Sequence, residues 1–291
     1  MWIERGNRAR HTIVQPRGVP DSQNPTVPTP AMVERFEPQL RSKEWVERLF
    51  AVRVAYVLFV LYHATIVGAC LWRSSSRSAL AWKLATLLGC VVYTDFLTGL
   101  LHIYLDHRRC DLGDPIDMAA YAFRYDHHAY PNNFFKFSSF FPSGSANIAS
   151  SVTGPATLVF HIGLWYVGAL YHTVPVDSAL EHVLVFLMAF VACGTLCQTT
   201  HALAHEGLQM RNSTLPKTVA TLQRCGIILS PKAHSVHHKQ EHDLNFCILN
   251  GWANPLLNTI APAIFCAMRQ APGHFQSTAV PGLHRRATRR Q

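Results

Sequence analysis

Seventeen histidines are spread through the 291 residues, and eight of them fall into four short clusters whose spacing suits a metal. His234, His237 and His238 form an HxxHH. At i, i+3 and i+4 of a helix, all three imidazoles project from one face and meet a common metal. His201 and His205 form an HxxxH, His127 and His128 are adjacent, and Asp106 follows His102 by four residues. Adjacent helical residues diverge by about 100°, so His127 and His128 bind two different metals more naturally than one. Imidazole with carboxylate suits borderline transition metals, and the clusters contain no cysteine, which speaks against an iron–sulfur centre or a thiolate zinc site. The expected centre is two non-haem irons.

These ligands need elements to bring them together, and the apolar runs supply them. Leu49 to Trp72 and Ala79 to Leu105 read as the first two membrane spans, Thr153 to Tyr171 as the third and Val183 to His201 as the fourth. Asp95 lies deep in the second run, seven residues before His102 and near the same helix face. It is expected either to hold a liganding imidazole or to bond a neighbouring helix. Pro115 to His128 is expected to be an interfacial helix that delivers the adjacent pair. Leu215 to Leu229 is expected to be an amphipathic helix stopped at Pro231. Trp252 to Met268 is apolar but interrupted by Asn254, Pro255, Asn258 and Pro262, and reads as an interfacial or re-entrant segment.

Composition agrees with this setting. Only 15% of residues are charged and 49% are hydrophobic. The net charge of +9 comes from Lys and Arg that flank apolar runs, with no basic stripe interleaved with aromatics. A membrane surface is therefore the expected partner, and nucleic acid is not. The eight cysteines form no CxxC, consistent with a reducing compartment. Residues 1–44 read as a disordered basic tail, 45–270 as the membrane-embedded domain, and 271–291 as a basic C-terminal tail. Four spans and the distribution of basic loops put both termini in the cytosol, with all four clusters on that side. The overall expectation is an all-α integral membrane protein with about four transmembrane helices, a cytosolic histidine site and interfacial helices.

Several histidine clusters at the ends of membrane helices resemble the membrane fatty-acid desaturase and hydroxylase superfamily. DFLTGLLHIYLD at 95–106, YDHHAYP at 125–131, HALAH at 201–205, LQRCGIILSPKAHSVHH at 222–238 and NFCILNGWANPL at 245–256 are similar to the Kua family, also called the transmembrane-189 lipid desaturase family. That resemblance covers roughly residues 90 to 258 and implies the ligands His102, His127, His128, His201, His205, His234, His237 and His238. It gives Asp106 the part of a carboxylate partner or ligand, with His242 at a position where members often carry a further histidine. Ile103, the Ala202-Leu203-Ala204 stretch and the extra His107 depart from the family pattern. His11, His63, His161, His172, His182, His274 and His284 read as bystanders. The implied activity is O2-dependent 1,2-dehydrogenation of the sn-1 O-alkyl chain of an ether phospholipid, giving a vinyl ether in the endoplasmic-reticulum membrane. Electrons are expected from NADH through cytochrome b5 and its reductase. An acyl-lipid desaturase or hydroxylase is the alternative chemistry, and a metal-handling membrane protein the non-enzymatic one.

Overall fold

The computed structural model describes residues 30–36, 38, 50–114, 116–128, 163, 165–209, 217–239 and 243–271, and these are helical wherever they are regular. Helix α1 is Phe50–Trp72, α2 is Arg77–His107 and α3 is the short Asp117–Tyr121, which runs into a π-helical turn at Ala122–His127. After them come α4 at Ala179–Gln209, α5 at Lys217–Arg224, α6 at Pro231–Lys239 and α7 at Asn254–Arg269.

Local chemistry sets the helix starts. The Ser76 hydroxyl accepts the Ala79 N–H at 3.1 Å and caps α2. Ser178 does the same for Glu181 at the start of α4, while the Glu181 carboxylate accepts the Asp177 N–H. Ser230 caps α6 through the Ala233 N–H, and Pro231, whose missing N–H costs nothing there, occupies the first helical position.

Helix α4 is the centre of the packing and touches α1, α2 and α6. Ile66 and Cys70 of α1, Cys90 of α2, and Val185 and Met188 of α4 form one buried cluster. A second joins Ile103 of α2 to Phe246, Leu257 and Phe265, drawing α7 against α2. Contact is closest at Gly99, where a Cβ would stand 2.3 Å from a Leu257 methyl.

Helices α2 and α4 run in the same direction. Lys83 meets Glu181 near their starts, and the His102 and His201 rings lie 5.7 Å apart near their ends. The nineteen residues from Lys83 to His102 rise about 28 Å, close to the thickness of a bilayer's hydrocarbon core. The Tyr171 carbonyl, bonded to Arg73, lies at the Lys83 end.

Among the described residues two helices, Arg77–His107 and Ala179–His205, are long and apolar enough to cross a membrane, and Val57–Trp72 is a shorter apolar stretch. The outer face of α2 exposes Trp82, Leu84 and Leu88. Large apolar side chains left uncovered on one face of a span-length helix suit lipid contact. Most of the expected third span, 153–162 and 164, lies outside the described residues.

Three expectations need correction. Residues 30–36, read as tail, are helical, and Phe36 is buried against Tyr121 with ring centroids 5.0 Å apart. Pro115–His128 is not one helix but α3 continued by the π-turn. The interruptions in 252–268 do not break α7, because its polar residues are used in contacts. Asn254 accepts the Cys247 N–H, and the Asn258 carboxamide pairs with Asn245 at 2.9 and 3.0 Å.

Candidate metal centre

The C-terminal ends of α2 and α4, the π-turn and α6 converge on two adjoining nests of ligand atoms. One holds His127, His201, His205, His234 and His238; the other holds His102, Asp106, His128 and His237. Within each nest one ligand atom per residue lies within 4.8 Å of every other. All eight histidines singled out in the sequence, with Asp106, are thus brought together.

Helical geometry explains the partition. On α4, His201 and His205 are one turn apart and share a face, as do His102 and Asp106 on α2. The π-turn sends His127 into the first nest and His128 into the second. The HxxHH does not present one face to one metal: His234 and His238 enter the first nest, while His237, about 100° round the helix from His238, enters the second.

In the first nest the Nε2 atoms of His201, His205 and His238 lie 2.9, 2.7 and 3.0 Å from Nε2 of His234. A ring nitrogen carries either one hydrogen or one lone pair, so one nitrogen cannot satisfy three such neighbours through hydrogen bonds. A cation shared by four lone pairs does satisfy them, and the donor set fits a transition metal. Burial pushes the His127 and His234 imidazoles well below the ordinary histidine range, and His201 and His205 beside them push in the same direction. They are therefore neutral, the form that ligates metal.

Among the described residues, the carboxylate belongs to the second nest. Asp106 Oδ1 lies 2.8 Å from His128 Nε2, and its Oδ2 lies 3.5 and 3.4 Å from Nε2 of His102 and His237. His237 Nδ1 donates to the Leu244 carbonyl at 3.0 Å, which turns Nε2 toward Asp106. Phe123 stands edge-on to His102 and Phe246 edge-on to His237, at 5.2 and 5.6 Å, and these rings wall the nest with apolar surface.

Asp95 is not at the nests. Its Oδ1 accepts the N–H groups of Leu249, Asn250 and Gly251, and its Oδ2 accepts that of Ala253, at 3.0 to 3.2 Å. Neither of the two expected partners, a liganding imidazole or a neighbouring helix, takes these oxygens; the N–H groups of residues 249–253 fill them instead. His107 joins neither nest and packs edge-on against Phe265. His63 donates to the Phe59 carbonyl and His182 to that of Ser178, and the His172 ring stacks near Tyr171. His11, His161, His242, His274 and His284 lie outside the described residues.

A charge cluster at the opposite end was missed. Buried Lys83 reaches Asp177, Glu181 and the Cys70 carbonyl, each at 2.8 Å, and Arg73 holds Glu181 and the carbonyls of Tyr171 and Val174. The available signal was the pairing of ionisable residues at the starts of two apolar runs.

Residues 91–270 match the family described as the lipid desaturase domain. "Fatty acid desaturase 4-like 1, chloroplastic" of Arabidopsis thaliana is 28% identical over 229 residues, covering 79% of this chain and 68% of the relative. "Fatty acid desaturase 4, chloroplastic" of the same plant is 25% identical over 215 residues, or 73% of this chain and 58% of the relative. "Plasmanylethanolamine desaturase 1" of Mus musculus is 35% identical over 75 residues, 26% of each chain. No solved structure matches significantly.

Proposed function

The chain belongs to the lipid desaturase domain family, and on that premise we propose a di-iron desaturase of ether phospholipids. The bond changes are the loss of one hydrogen each from carbons 1 and 2 of the sn-1 O-alkyl chain. With two electrons and two protons, those hydrogens reduce O2 to two waters and leave the vinyl ether of a plasmalogen. The electrons come from NADH through cytochrome b5 and its reductase, and the enzyme sits in the endoplasmic-reticulum membrane with both termini cytosolic.

The observation that carries the reading is the pair of adjoining nests, walled off by apolar rings at the ends of two span-length helices. Iron held there supplies, with O2, the oxidant needed to take hydrogen from an unactivated C–H bond. The protein's own contribution is placement. Asp106 sets three imidazoles around one position, Leu244 fixes the tautomer of His237, and Phe123 and Phe246 exclude water. Carbons 1 and 2 of an sn-1 chain lie next to the headgroup, and a site at helix ends suits them. The 35% identity to the mouse relative supports the ether substrate.

A second reading, an acyl-chain desaturase, is favoured by the longer match to the Arabidopsis relatives. Lipid analysis separates the two. In cells that make plasmanyl lipids but lack their desaturase, expression of this chain restores acid-labile vinyl ethers, and the His238→Ala variant does not. A new double bond in an ester-linked chain, with vinyl ethers still absent, assigns the acyl substrate instead.

A further inference from the structure

Asp95 is buried in α2 about 10 Å along the axis from His102, and no cation pairs with its carboxylate among the described residues. Four backbone N–H groups from one short stretch, 249–253, take its two oxygens. Such convergence on one buried side chain makes it the anchor of that stretch, since every one of those N–H groups otherwise needs another partner.

The anchored stretch is the end of a strap that begins at Leu244. Along it, Ile248 is held from both sides: its carbonyl accepts the Thr200 hydroxyl at 2.6 Å, and its N–H reaches the Thr98 hydroxyl at 3.4 Å. The Leu249 carbonyl accepts the Leu229 N–H at 3.0 Å. At the near end Asn245 adopts a left-handed φ of 58°, with its N–H and side chain on Asn258 and its amide donating to the Ala233 carbonyl. The strap then meets the second nest at His237, through two groups. The Leu244 carbonyl accepts His237 Nδ1–H, and the Phe246 ring stands against the His237 ring.

We propose that Asp95 is a positioning residue for the second nest: by anchoring the 244–253 strap it holds the Leu244 carbonyl where His237 Nδ1 must donate, and so keeps His237 Nε2 on the metal. The inference rests on the two-iron reading of the nests. It predicts an effect centred on one of the two irons, because the Leu244 carbonyl and the Phe246 ring both bear on His237.

The test uses the purified full-length chain loaded anaerobically with ferrous iron, with iron per chain and binding affinity measured together. The wild type takes up about two irons, one per nest. Asp95→Asn, which turns one acceptor oxygen into a donor facing backbone N–H, weakens one of the two by about 10- to 100-fold and leaves the other unchanged. Adding Asp95→Asn to His237→Ala causes no further loss, because the anchor acts through that histidine. Glu181→Gln, at the opposite end of the bundle, leaves both irons in place and controls for general destabilisation. Asn258→Ala, which releases the strap at its other end, repeats the selective loss and carries the test if Asp95→Asn does not fold. Two irons bound with wild-type affinity in the folded variants, equal weakening of both, or additivity with His237→Ala overturns the proposal. A wild-type chain that binds no iron overturns the two-iron reading itself.

Discussion

His127 and His128 are consecutive residues whose rings belong to different nests. His127 lies 4.7 Å, ring to ring, from both His201 and His205, whereas His128 Nε2 lies 2.8 Å from Asp106. The π-turn that carries them is therefore the wall between the two positions, and the wall is about one residue thick.

Replacing ligands one nest at a time should remove metal one nest at a time. His201→Ala or His205→Ala lowers iron from about two to about one per chain by emptying the first nest, and His102→Ala does the same for the second. Desaturation is lost in all three. His63→Ala and His172→Ala, whose rings lie on helix carbonyls or a neighbouring tyrosine, leave iron and activity at wild-type levels. Elemental analysis beside a lipid assay reads both outcomes.

Much of this site was legible in the sequence because ligand spacing follows helix geometry. The pair at 127 and 128 diverges, and the HxxxH at 201 and 205 coincides, in any helix. The split of the HxxHH was not legible, since i+3 and i+4 lie on one broad face until a second helix chooses between them. Asp95 was recognised as an expensive buried carboxylate, but its partners are backbone N–H groups 154 to 158 residues away, which leave no side-chain signature. The helix at 254–269 was obscured by Asn254, Asn258 and Pro262, polar or helix-breaking residues whose use depends on the strap packed against them.

Stability should fall with acid before it falls with base. Burial lowers the folded-state values of His127 and His234, while the unfolded chain takes up protons at the ordinary histidine value of about 6.5. Above that value neither state is protonated there and the groups are silent. Below it the unfolded chain binds protons that the folded chain refuses, so folding weakens as pH drops. Melting temperatures of the metal-free chain should be flat from about pH 7 to 8 and decline progressively below about 6.5. A melting temperature that rises on acidification contradicts the neutral, buried state of these rings.

The far-end charge cluster should govern stability and not chemistry. Glu181 is fully buried between Arg73 and Lys83, so Glu181→Gln leaves Lys83 in the interior with only Asp177 as its acidic partner. The loss costs about 3 kcal/mol and lowers the melting temperature by several degrees. Turnover at a temperature where the variant is folded stays at the wild-type level. A selective loss of turnover without a change in melting would place the cluster in the reaction instead.

The most direct test is the metal itself. Full-length chain purified from cells given iron should carry about two irons and little zinc, and its activity should vanish with chelation and return with ferrous iron alone. Zinc at full occupancy, or activity indifferent to iron, contradicts the two-iron account.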